Sequence, residues 1–345
     1  MMDLSIIDTF IIAPLAPIAG IALFWFIQLL FAESLKVLLR EIWENHKAFC
    51  RFSNFVALFF QSLSHALGYT LTGIGVGEFS LSVKDARISP KKERKGLPMF
   101  FADLFLVLGP FFIPSLIVFL IYLPFFPSFT LQECYTFSTS LISFGSLLQQ
   151  FGINFLKFLF YLDFSNPFHI IFLIIFLLVG LGIRPSFIEE EGRKVGMIDD
   201  LLKIKDLIFS HPYFVIALLA SLYVIFYVLY FLDLPFYVLF FSFFGWLSII
   251  SITSLLLAHF IVFLILASDR LPSLKRFLPF SLLVISYVLY RAIFYLVKSE
   301  LTLPLSNILS SATTFVLVFL LLRFETNKLK MEEEMVEAGE RENED

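Results

Sequence analysis

Several stretches of roughly 20 residues carry few or no charged side chains, and this constrains the fold more than any motif does. An α-helix of about 20 residues covers the ~30 Å of a bilayer's hydrocarbon. In that medium every backbone N–H and C=O must be satisfied inside the segment, so such runs fold as helices. The candidates are residues 9–32, 54–73, 98–123, 167–183, 213–232, 236–267, 279–298 and 307–323. The expected class is therefore an all-α polytopic membrane protein with about 7–8 membrane segments. Composition agrees. The chain is 59% hydrophobic and 16% charged, with mean hydropathy +0.89, against about 45–50% apolar and about 25% charged in soluble domains. Its 47 phenylalanines supply apolar area for lipid and for neighbouring helices before any binding role is needed.

The connections give an orientation. Residues 84–97 hold Lys84, Arg87, Lys91, Lys92, Arg94 and Lys95, and residues 184–212 hold Arg184, Arg193, Lys194, Lys203 and Lys205. Residues 268–278 hold Arg270, Lys275 and Arg276, and the tail opens with Arg323, Lys328 and Lys330. The alternate connections 124–135, 233–235 and 299–306 have no Lys or Arg. Six spans from residue 98 onward fit this pattern with the C-terminus in the cytosol. The expected setting is the cell membrane of a prokaryote, with the tail cytoplasmic. The N-terminal part is less regular. Residues 33–52 read as an amphipathic surface helix with Leu35, Leu38, Leu39, Ile42 and Trp43 on one side. Both that helix and the 84–97 connection favour the cytosol, yet only 54–73 lies between them. Either 54–73 spans and breaks the rule once, or it enters and leaves by the same face, where protein must cover any irregular backbone.

This divides the chain into residues 1–53 (a span and a surface helix), 54–205 (a core), 206–323 (four C-terminal membrane helices) and 324–345 (an acidic cytosolic tail, a frayed helix or disordered). Residues 124–166 are long but apolar and read as interfacial or re-entrant helices on the outer face. The two cysteines, Cys50 and Cys134, exclude a disulfide framework or a zinc ribbon. The first apolar stretch has no basic n-region and is long for a secretory signal, so it reads as a retained span. The expected partners are membrane lipids and a transmembrane protein, with no nucleic acid.

Chemistry concentrates in residues 54–82, an apolar helix with a polar face, a Gly-rich turn and an alternating extended segment. A zinc metalloprotease would carry His-Glu-x-x-His in this frame, two ligands one helical turn apart with a general base between. Here the window is Gln61-Ser62-Leu63-Ser64-His65. On a helix Gln61, Ser64, His65 and Gly68 share a face. The turn Gly73-Ile74-Gly75-Val76-Gly77 lacks the Gly-Lys-Ser/Thr ending of a phosphate loop and reads as a tight bend into Glu78–Val83. Three other titratable residues lie at membrane depth, where each is costly and a functional candidate: Asp103, His259 and Arg291. Arg291 falls near mid-membrane, and Asp103 is its partner by charge. Glu189, Glu190 and Glu191 form a carboxylate run at an inner helix end.

QSLSHALGYTLTGIGVGEFSLS, the following basic loop, FLVLGPFFIPS with Gly109-Pro110, and residues 181–192 together resemble the site-2 protease superfamily of intramembrane zinc metalloproteases and their inactive relatives. The likeness covers roughly residues 50–200. It implies a site-2-protease-like helical core with a short strand-like edge segment. Carried over by position, Gln61 stands at the first zinc-binding His, Ser62 at the Glu base, His65 at the second His, and Glu190 at the acidic ligand. Gln61 does not ligate zinc as imidazole does, and Ser62 does not accept a proton at neutral pH. One His and one carboxylate fall short of the three protein ligands of a catalytic zinc site. The expectation is a non-catalytic, pseudoprotease-like protein without zinc or another cofactor, binding a transmembrane helix, partner or lipid. The alternatives are a transporter or lipid-handling protein using Asp103, His259 and Arg291, and an active intramembrane metalloprotease with ligands drawn from elsewhere.

Overall fold

The computed structural model describes residues 12–82, 86–92, 96–125, 140–183, 197–272 and 275–344. Their order is α1 (Ala13–Glu41), α2 (Lys47–Leu71), β1 (Val76–Leu81), β2 (Ala86–Pro90), α3 (Leu97–Tyr122), α4 (Ser140–Phe160), α5 (Pro167–Gly182), α6 (Met197–Ser210), α7 (Pro212–Phe231), α8 (Phe236–Asp269), α9 (Leu278–Leu296) and α10 (Thr302–Glu344). Helices α1, α3, α7, α8 and α9, with Thr302–Lys328 of α10, are long and apolar enough to cross a membrane. The architecture is thus that of an all-α polytopic membrane protein carrying one two-stranded antiparallel hairpin.

Among the described residues six helices meet that criterion, against about 7–8 membrane segments expected. Helix α5 is apolar but has only 16 residues, and the apolar run of α2 is broken by Asn54, Gln61 and His65. The surface helix expected over 33–52 is not a separate element. Its first part is the end of α1, because Leu35 and Leu39 continue that helix's buried stripe, and its last part begins α2. Part of the 84–97 loop is strand β2, which pairs Phe79 with Ile88 and Leu81 with Ala86. The described part of the tail continues α10 without a break.

The chain divides into two compact units, residues 1–155 with 170–259 and residues 156–169 with 260–345. In the first unit, small residues let helices approach closely. A Cβ on Gly180 would lie 2.1 Å from the carbonyl oxygen of Ser254, so the backbones of α5 and α8 nearly touch there. Buried polar contacts pin other pairs. Gln28 Nε2 donates to Ser248 Oγ at 3.0 Å, joining α1 to α8, and the Tyr237 hydroxyl donates to the Pro14 carbonyl at 2.6 Å. Phenylalanines fill the space between: Phe151 stacks on Trp246 and on Phe155, and Tyr122 meets Phe155 edge-on.

Helix α2 has an unusual place in this unit. Near its start, the Ser53 hydroxyl donates to the Leu181 carbonyl at 3.4 Å, and Val56 and Phe60 cover Gly182, the last residue of α5. Further along, Ser64 packs on Gly109 and Gly68 on Phe105 and Ala102, running back toward the first turns of α3. Its 25 residues, about 37 Å of helix, therefore pass the C-terminal end of α5 and run antiparallel to α3, from Gly109 in the middle of that helix to Ala102 in its second turn.

In the second unit α9 and α10 form a helical hairpin. Ser286 and Thr314 hydroxyls meet at 3.1 Å, Tyr290 and Thr313 hydroxyls at 2.9 Å, and Leu264, Ala267 and Val318 are fully buried beside Leu282 and Leu322. Lys275 and Glu325 form an ion pair. Helix α9 ends with the Lys298 N–H bonded to the Tyr295 carbonyl and the Ser299 N–H to the Phe294 carbonyl, with Lys298 at φ 54°. That is a Schellman ending with a side chain where glycine is usual.

Two substitutions test this packing by thermal unfolding in detergent. Gly180→Ala lowers the midpoint sharply because backbone stands in the way, whereas Gly145→Ala, with open space around it, does not lower it. Lys298→Gly raises stability by about 1 kcal/mol through relief of the left-handed conformation.

Candidate functional site

Helix α2 carries the motif positions read from the sequence. Ser64 and Gly68 are buried against α3, and Gln61 and His65 flank this seam half-buried. The Ser64 hydroxyl donates to the Phe60 carbonyl at 2.8 Å within its own helix. Ser62 is only 2% exposed, and its Oγ has no hydrogen-bond partner among the described residues. The shared polar face is thus largely a packing seam, with Ser64 fitted to Gly109. Glu190 and its neighbouring carboxylates lie outside the described residues. Among the described residues no three His, Cys, Asp or Glu side chains are grouped to hold a metal ion.

The Gly-rich turn after α2 performs the expected bend. Gly73 and Gly75 both adopt positive φ, at 70° and 76°, where a side chain is strained. The turn feeds β1, whose residues are largely exposed, Phe79 at 56%. Tyr69, Ile74 and Ala102 anchor the base of the hairpin together with Val76 and Ile88.

Asp103, His259 and Arg291 each have separate surroundings. Asp103, half-buried on α3, lies within electrostatic reach of Tyr69 on α2 and of His211 just before α7. His211 in turn rests edge-on against Phe100. His259 holds the Leu255 carbonyl through Nδ1 at 2.7 Å and meets Phe31 edge-on. A carbonyl only accepts, so the proton sits on Nδ1 and Nε2 is an acceptor; it is buried without a partner among the described residues.

Arg291 pairs with Asp163 rather than Asp103. Its Nη2 lies 3.5 Å from Asp163 Oδ1, while Nη1 is buried with no hydrogen-bond partner among the described residues. Arg291 stands five residues before the end of α9, about 8 Å along the axis, and four residues past its middle. The loop holding Asp163 is itself fixed. Asn307 Nδ2 donates to the carbonyls of Phe160 and Leu162 at 2.7 and 2.9 Å, and the Asp163 N–H donates to His169 Nδ1 at 2.8 Å. Beside the ion pair lies a cavity of about 250 Å³ lined by Tyr161, Arg291, Tyr295, Glu300, Thr302 and Leu303. The sequence reading missed this cluster because Asp163 sits in a stretch read only as interfacial. The available signal was that Asp163 is the lone acidic residue between Glu133 and Glu189, and Arg291 the lone charge between Arg276 and Lys298.

The Asp163 carboxyl is held below the usual carboxylate range. The Ser165 N–H is the largest cause; partial burial opposes it, and the Arg291 guanidinium, the Ser165 hydroxyl and His169 add to the lowering. A carboxylate with a lowered folded pKa stabilises the fold above its unfolded value of about 3.9 and loses that contribution as pH falls through the folded value. The stability gap between wild type and Asp163→Asn is therefore constant above about pH 5 and closes in strong acid. Unfolding midpoints across a pH series check this.

No protein-family model, curated protein or solved structure matches this chain.

Proposed function

We propose that the chain is a non-catalytic multi-pass membrane protein with a site-2-protease-like core, and that α2 with the β1 edge receives a transmembrane helix of a partner. The observation that carries this is the apolar outer face of α2, followed directly by the glycine turn and the exposed strand. The helix runs antiparallel to the first half of α3. Phe52, Phe59, Leu67 and Leu71 are exposed on its outer face, and β1 pairs only with β2 among the described residues. An apolar helix face and an unpaired strand edge offer packing and backbone hydrogen bonds to an incoming segment. Gln61 and Ser62 supply neither a zinc ligand nor a base, which leaves this frame to bind rather than to cleave. The C-terminal tail of α10 lies on the cytosolic side in the orientation that the basic connections give.

Sidedness is tested with single cysteines at Glu44 and Lys92 in a Cys134→Ser background; Cys50, 2% exposed, stays. An impermeant maleimide labels Glu44→Cys in intact cells and Lys92→Cys only after permeabilisation, as a helix running beside α3 requires. Failure of both positions to label in intact cells refutes a crossing α2. Binding is tested by photocrosslinking to a synthetic single-span helix in vesicles. Probes at Leu71 and Phe79 crosslink well above a probe at the exposed Ile174 of α5. Stoichiometric zinc in the purified protein, with cleavage of the helix that depends on His65, overturns the reading.

A further inference from the structure

We infer that the cavity beside Arg291 is a binding site for the headgroup of a phospholipid bearing a primary ammonium group. The phosphate meets Arg291 and the tyrosine hydroxyls, and the ammonium meets Glu300. This inference is independent of the role proposed for α2.

Four observations converge on it. First, Arg291 lines the cavity with its side chain 32% exposed, and Asp163 engages it at Nη2, at 3.5 Å. A guanidinium carries five N–H donors in a planar fork, and a phosphate oxygen is the acceptor this fork suits best. Second, the remaining lining is mixed in a way that matches a zwitterion. Tyr161 and Tyr295 bring hydroxyls, and Glu300 brings a carboxylate at the rim. A simple anion has no use for Glu300, and a simple cation none for Arg291. Third, the depth is that of lipid headgroups. Tyr161, Tyr290 and Tyr295 lie toward this end of α9, as tyrosines do at a membrane interface. The connection 299–306 that closes this end has no Lys or Arg, in contrast to Arg270, Lys275 and Arg276 before α9, so the site faces the outer leaflet. Fourth, acyl chains have a surface to follow: Leu296, Val297 and Leu301 are 78%, 71% and 50% exposed beside the cavity. A free phosphomonoester would leave that surface uncovered, and this favours the lipid as the source of the headgroup.

The test uses the purified full chain in a mild detergent, titrated separately with phosphatidylethanolamine, phosphatidylcholine, phosphatidylglycerol and soluble phosphoethanolamine. Bound lipid is counted by native mass spectrometry and the thermal midpoint is followed in parallel. Phosphatidylethanolamine binds about tenfold tighter than the other two lipids, roughly the worth of one charged hydrogen bond. Glu300→Gln removes this preference while leaving phosphatidylcholine binding unchanged. Arg291→Lys, which keeps a cation opposite Asp163, weakens all three lipids together. Equal binding of the three lipids by wild type overturns the inference, as does a Glu300→Gln protein that still prefers ethanolamine. Soluble phosphoethanolamine competing as well as the lipid refutes the lipid assignment. Should Arg291→Lys fail to fold, Tyr295→Phe and Glu300→Gln decide, since both side chains are largely exposed.

Discussion

Helices in lipid gain no hydrophobic free energy by touching one another, so close backbone approach and buried polar contacts must hold them together. The contact of Gly180 with the Ser254 carbonyl is where this constraint is tightest. It brings α5 against α8, and the shortness of α5 then fixes where α2 lies, because Val56 and Phe60 rest on Gly182, two residues further on. Ser53 bonds the Leu181 carbonyl within the same turn, satisfying one of the acceptors that a helix end leaves open. A larger residue at position 180 would disturb two interfaces together, the α5–α8 contact and the seat of α2.

That seat gives the polar residues of α2 a physical explanation. A helix beside α3 with Asn54, Gln61 and His65 along it needs protein cover at each of them. Asn54 is buried next to the Ser53–Leu181 contact, and Gln61 and His65 flank the α3 seam half-covered. The helix also passes Ser64 over Gly109 without a break, so the irregular backbone is confined to Gly73 and Gly75, where glycine tolerates it.

The long apolar spans were legible because hydrocarbon thickness and helix rise set their length, and α3, α7, α8 and α9 begin and end within about two residues of the expected bounds. The course of α2 was only half legible. The count of Lys and Arg around 54–73 showed a conflict, but the contacts that seat the helix, Ser53 with Leu181 and Gly68 with Phe105, join residues far apart in sequence. Strand β2 was hidden by Arg87 and the basic residues flanking it, which read as a loop until β1 lies beside it. The polar residues at membrane depth were legible as individuals and not as partners. Arg291 and Asp103 were matched on charge, yet the side chain that meets Arg291 comes from the α4–α5 loop, held in place by Asn307.

The way Arg291 is held shows how such a charge is tolerated. Its pair with Asp163 is half-exposed, so neither group is fully desolvated, and the interaction contributes less to stability than to position. Asn307 and His169 fix the Asp163 loop through its backbone, and the Ser165 N–H holds the carboxylate. The guanidinium is therefore oriented through Nη2, with Nη1 shut away from solvent and the rest of the side chain at the cavity wall. A residue serving only to neutralise Asp163 would suffice as lysine. The planar fork of arginine keeps further N–H donors beside that pair for an acceptor from outside the chain.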